Sequence, residues 1–135
     1  MSQENVDKLM GGFAAYNTGD REFLLDLYAP DLEWIDLDHA PDVPERIYGV
    51  KALLALAEQW DDAFDDFRAE VEDCRDLGES VLCVTCWRGE GKGSGMTTEL
   101  HRVEIYEFED GKIARVTIYP DKAAALEAAG LRSPR

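Results

Sequence analysis

Thr97–Tyr119 reads TTELHRVEIYEFEDGKIARVTIY, with polar and apolar residues alternating on both sides of Asp110-Gly111. That dipeptide between alternating runs is the strongest short-range signal for a tight β-hairpin. Two strands of about ten residues each make a ribbon roughly 33 Å long. Such a ribbon is marginal alone and needs more strands, or helices across one face. Upstream, Arg68–Arg75 and Val81–Arg88 read as strands separated by a turn at Leu77-Gly78-Glu79. GEGKGSG at residues 89–95 joins Val81–Arg88 to the ribbon. It is a hairpin tip and not a phosphate loop, because no Gly-Lys-Ser/Thr opens a helix after it.

The helices come earlier in the chain. Val6, Leu9, Met10, Phe13 and Asn17 fall on one side of a first helix, with Ser2 as its N-cap. Asp20 caps a short second helix that is expected to bury Phe23, Leu24, Leu27 and Tyr28 and to stop at Pro30. LEWIDL, Leu32 to Leu37, is a short strand with Trp34 and Asp36 on one face. A loop rich in Asp and Pro runs from Asp38 to Glu45 and includes His39, read as a solvated rim histidine and not a metal ligand. A third helix over Val50–Phe64 presents Leu53, Leu56, Ala57, Trp60 and Phe64, and its Asp61-Asp62 run reads as a solvated face. Asp121 caps a last helix closed by Gly130. The order gives an α+β fold, a curved antiparallel or mixed sheet with three helices from the N-terminal half on its concave face and a short C-terminal helix.

Composition sets the outer limits. The 135 residues are expected to form a single domain, 1–135, large enough to bury a core without disulfides. A formal net charge of −15 argues against nucleic acid and anionic membrane, which require a basic face. No run of eighteen apolar residues is present, so no bilayer span is expected. The polar start MSQENVDKLM lacks the pattern of a signal peptide, and a cytoplasmic protein is the expectation. Three cysteines fit a reducing compartment. Cys83 and Cys86 spell C-x-x-C, but inside the strand VLCVTCW they face opposite sides, so they share neither a metal nor a bridge.

Both faces of the central strands are apolar. In Val81–Arg88 one face carries Leu82, Val84, Cys86 and Arg88; in the next strand one face carries Leu100, Arg102, Glu104, Tyr106 and Phe108. A sheet covered on one side only should have a polar second face. The sequence therefore predicts a homodimer through an outer face built from Trp87, His101, Val103 and Ile105. On the helix side ionisable groups sit among apolar ones: Asp36 beside Trp34, Glu104 between Arg102 and Tyr106, and Arg88 at the end of an aliphatic run. Polar groups converging in an apolar cone describe a small-molecule pocket.

Layout and local phrases together resemble the nuclear transport factor 2-like superfamily, in its SnoaL-like and ketosteroid-isomerase-like branch. The phrases are FAAYNTGDREFLLDLYAPDLEWID, IYGVKALLAL, GSG before a strand, and YEFEDGKIARVTIYPDKAAALEAAGL, spanning Val6 to Leu131. The resemblance implies a cone-shaped fold and does not by itself fix a reaction. It implies a catalytic Asp in the first strand, where Asp36 stands, and an acidic hydrogen-bond donor on the long hairpin, where Glu104 stands. The branch's first-helix tyrosine is replaced by Gly12, with Tyr16 one turn later, which argues against authentic steroid isomerisation.

If Asp36 and Glu104 approach each other, one should hold a proton near neutral pH. Asp36 would be the base on an acidic C–H, and Glu104 or Tyr106 the donor to the enolate oxygen, as in an isomerase or aldol-type cyclase. With Arg88 inward, an Asp36/Glu104/Arg88 set would instead activate water, as in epoxide hydrolysis. Phe13, Tyr16, Trp34, Leu56, Trp60, Val84, Phe108, Val116 and Ile118 would line the wall against a small hydrophobic ligand. None of these chemistries requires a cofactor or a metal. A non-catalytic dimeric binding domain is the alternative from another class.

Overall fold

The computed structural model describes residues 2–38 and 44–130, so His39 lies outside the described residues. Helices α1 (Ser2–Thr18) and α2 (Arg21–Leu27) lead into β1 (Tyr28–Asp36), β2 (Arg46–Tyr48) and α3 (Val50–Ala63). Four strands follow, β3 (Phe64–Asp76), β4 (Ser80–Gly91), β5 (Thr97–Glu109) and β6 (Lys112–Tyr119), then α4 (Lys122–Ala128). The strands form one open mixed sheet in the order β2-β1-β6-β5-β4-β3. Among the described residues only the β1–β6 pairing is parallel. The α+β class and the cone-shaped arrangement expected from the sequence are both present.

The hairpin that anchors the reading closes with Glu109 opposite Lys112, leaving Asp110 and Gly111 as a two-residue turn. Both have positive φ, 53° and 79°, as a turn matching the right-handed twist of the strands requires. Two of the expected caps form: Asp20 accepts from Phe23 N, and Asp121 accepts from Ala124 N, while Ser2 is the first described residue of α1. Asn17 holds the end of α1 on the sheet, donating to Ala69 O and accepting from Ala69 N, each at 2.9 Å.

Tyr28 opens β1 and does not close α2. Pro30 explains the shift, because the residue before a proline is driven out of the helical region and the chain extends early. The register with β6 is interrupted between Tyr28 and Glu33, so the missing proline N–H breaks no ladder bond. Phe23, expected in the core, is 43% exposed. Phe64 belongs to β3 and stacks on Phe67, 5.3 Å between ring centroids.

Two cores flank the sheet. The larger lies under α1, α2 and α3 and includes Leu9, Phe13, Trp34, Cys83, Tyr106 and Ile118. The smaller gathers Leu82, Val103 and Ile105 around Ala125 of α4. The outer apolar face is thus covered within the chain, so its apolarity does not by itself call for a second copy. Trp87 is not part of that face. Register pairs Cys83 with Glu104, Thr85 with Arg102 and Trp87 with Leu100, putting Trp87 on the helix side. Val84 and Arg88 accordingly point outward, opposite to the expectation. A shift of one residue exchanges the two faces of a strand, and alternation alone cannot choose between faces that are both apolar.

Candidate functional site

Between α1, α3 and the concave face lies a cavity of about 100 Å³. Of the residues expected to line it, Phe13, Tyr16, Trp34, Leu56, Trp60, Glu104, Tyr106 and Val116 do so. Trp87, Arg102 and Tyr28 join them. Ile118 is fully buried in the core and Phe108 packs against that core, but neither lines the cavity. The α3 residues Leu53, Leu56, Ala57 and Trp60 are only half-buried, so this helix forms the open wall.

The polar groups converge from β5. Period-two alternation puts Arg102, Glu104 and Tyr106 on one face of the strand. Tyr106 donates to Glu104 Oε1 at 2.9 Å. Glu104 is 3% exposed, and burial raises its carboxyl pKa despite the opposing pull of Arg102 and hydrogen bonds from Tyr106, Trp87 and Thr85. The Tyr106 hydroxyl is pushed well above its ordinary value by burial and by the neighbouring Glu104, so it is a donor and not a base. Tyr28 is held up for the same two reasons, burial and Glu104.

Asp36 sits behind this group. It is fully buried, does not line the cavity, and accepts from Asp38 N at 2.9 Å through Oδ1. Asp36 and Glu104 share Ile118 as register partner, so they stand level on one face, roughly 10 Å apart along the sheet at about 4.8 Å per strand. Their backbones are two strands apart, and Asp36 is not among the groups that shift Glu104. Arg102, 3% exposed, places Nη2 3.2 Å from Asp36 Oδ2 and its guanidinium carbon 5.7 Å from the centre of the Trp34 ring. The Asp36 contact is close enough for Coulomb attraction but poorly aligned for a hydrogen bond, and Arg102 Nε finds no acceptor among the described residues. Desolvation, not repulsion from a second carboxylate, therefore raises Glu104.

Arg88, expected as the cationic partner, lies on the outer face beside Glu70 and Glu99. Arg102 takes its place. The signal for it was available, since Arg102 shares a face with Glu104 by alternation. Tyr16 lines the cavity, but its hydroxyl donates to Asp61 at 3.2 Å, and burial together with that carboxylate raises its pKa. Asp61 also pairs with Arg21, so it ties α3 to the first two helices while its side chain stays partly exposed. Gly12 borders the cavity, and a side chain there would meet Leu27 Cδ2 at 2.5 Å.

The SnoaL-like domain family matches residues 11–116, most of the chain. The chain belongs to this family. Among curated proteins no sequence matches it. Solved structures of the same fold include Bal32a, from a soil-derived mobile gene cassette, with TM-score 0.78 and 18% identity over 87% of this chain and 89% of that one. IdmH, a proposed polyketide cyclase from Streptomyces antibioticus, is 25% identical, with TM-score 0.74 over 94% of this chain and 99% of its own. AclR, a proposed hydroxylase from Streptomyces galilaeus, is 20% identical, with TM-score 0.75 over 96% and 98%.

Proposed function

We propose that this SnoaL-like protein binds a small hydrophobic carbonyl compound and moves a proton within it, as an isomerase or cyclase does. The observation that carries the reading is one carboxyl group, Glu104, buried in an aromatic cavity with a hydrogen bond from Tyr106 and a guanidinium beside it. A buried carboxyl whose pKa is raised is a stronger base once ionised and is suited to take a proton from carbon and return it. Arg102 offers donors to the oxygen on which negative charge develops, and a low-dielectric site makes them effective. Asp36 positions Arg102. The acid–base role expected for Asp36 therefore moves to Glu104, which borders the cavity.

Cavity size narrows the ligand. At about 100 Å³ it falls below the roughly 300–1,000 Å³ typical of pockets for drug-sized molecules. A single-ring ketone is the fitting class in this conformation, and a larger polycycle requires the half-buried α3 wall to move outward.

The test is exchange of α-protons of small cyclic ketones with deuterated solvent, followed by NMR. The wild-type protein is expected to accelerate exchange and Glu104→Gln to lose roughly 10²–10⁴-fold, the usual worth of a general acid–base group. Equal binding of the ketone by both proteins without exchange in either would show a binding domain. A carboxylate beside an arginine also favours a second reading, water activation by Glu104 for epoxide opening. Incorporation of labelled solvent oxygen into a diol, without α-proton exchange, would select it.

A further inference from the structure

On the face of the sheet away from the cavity, the β4–β5 register sets Cys86 opposite His101 and Arg88 opposite Glu99. We propose that Cys86, Glu99 and His101 form a binding site for a zinc-class transition-metal ion that ties β4 to β5, with Glu72 of β3 as a fourth donor. The thiol, carboxylate and imidazole donor atoms all lie within 4.8 Å of one another. Glu72 Oε1 is 3.9 Å from His101 Nδ1. In a tetrahedral zinc site, bond lengths of about 2.0–2.3 Å place donors roughly 3.3–3.7 Å apart. Side-chain rotations of about 1 Å close that difference, and the exposed Glu99 and His101 are free to make them.

The donor set selects the metal. A soft thiolate with an imidazole and carboxylates suits zinc and cobalt(II), whereas calcium and magnesium require oxygen ligands throughout. Cys86 is 1% exposed and sits at the base of the cluster, where a strand holds it in place. The C-x-x-C spacing is irrelevant to this site, because Cys83 faces the other core and the remaining ligands come from neighbouring strands. Binding replaces the Cys86 S–H bond with a metal–sulfur bond, sends the proton to solvent and changes no oxidation state.

Arg88 is the competitor. Its Nη2 lies 3.6 Å from Cys86 Sγ and 3.4 Å from Glu99 Oε2, so a guanidinium fills the notch that the metal enters. Glu70, 2.7 Å from Arg88 Nε, holds the displaced side chain. The metal and Arg88 therefore exclude one another, and removing the guanidinium must tighten binding.

The experiment is a cobalt(II) titration of the full chain under reducing conditions, read by thiolate-to-metal charge-transfer absorption, with zinc as competitor and thermal melting in parallel. The expected result is one equivalent bound with a thiolate band, and a melting temperature raised by zinc because the unfolded chain lacks the site. Cys86→Ser should abolish the band. His101→Ala and Glu99→Gln, both at exposed positions where folding is unaffected, should each weaken binding about 10-fold or more, the scale at which even supporting residues act. His39→Ala should leave binding unchanged and Arg88→Ala should tighten it severalfold. Absence of a thiolate band in the wild type overturns the proposal, whatever Arg88→Ala does. Binding that survives His101→Ala and Glu99→Gln also overturns it, as adventitious attachment to a highly acidic chain.

Discussion

A single carboxyl group with its donor illustrates how burial and chemistry are linked in this protein. Burial, opposed only in part by Arg102 and three hydrogen bonds, raises the Glu104 pKa. A raised folded-state value means the folded chain holds this proton more tightly than the unfolded one. The associated stability is fully present below the ordinary glutamate value of roughly 4.3 and is lost as pH rises through the folded value. Glu104→Gln should therefore be more stable than wild type at neutral pH, with the gap narrowing on acidification; thermal melts across pH check this. Tyr106→Phe removes a donor that favours the charged carboxylate, so Glu104 should titrate at still higher pH, visible by NMR of carboxyl-labelled glutamate. Asp36→Asn has the opposite character from Glu104→Gln. It leaves the buried Arg102 without its carboxylate and should cost about 3–5 kcal/mol in urea unfolding.

The elements divide into those determined locally and those set by their neighbours. The β5–β6 hairpin is local: its turn needs two positive φ angles, and Asp110-Gly111 accommodates them. A Gly111→Ala replacement must place a side chain at φ 79°, and a loss of about 1–2 kcal/mol is expected by urea denaturation. In contrast, β4 reads equally well either way up. Its orientation follows from pairing with β5, where Cys83 meets Glu104 and Trp87 meets Leu100. Alternation along β5 already puts Arg102 on the face of Glu104, whereas only that register decides that Arg88 of β4 faces away from the cavity.

At the scale of the molecule the sheet separates two environments, an aromatic cavity under three helices and an outer face capped by α4. Ala125 is the contact point of that cap and is fully buried. Ala125→Glu should lift α4 from Leu82, Val103 and Ile105, at a cost of more than about 2 kcal/mol for burying a charge. The exposed apolar strip should then bind a hydrophobic dye and drive self-association in sedimentation experiments.

By itself the sequence determined the element order apart from the short β2, the hairpin turn, the Asp20 and Asp121 caps, the cone-shaped α+β architecture and the period-two face of β5 that carries Arg102, Glu104 and Tyr106. These depend on interactions a few residues long, or on apolar patterns that repeat along one element. Tertiary structure alone decided which face of β4 meets the helices, that Arg102 lies against Asp36 and not Arg88 against Glu104, and that α4 covers the outer face. Each of these depends on pairing between segments far apart in the chain, where a shift of one residue reverses every side chain and local pattern carries no information about the choice.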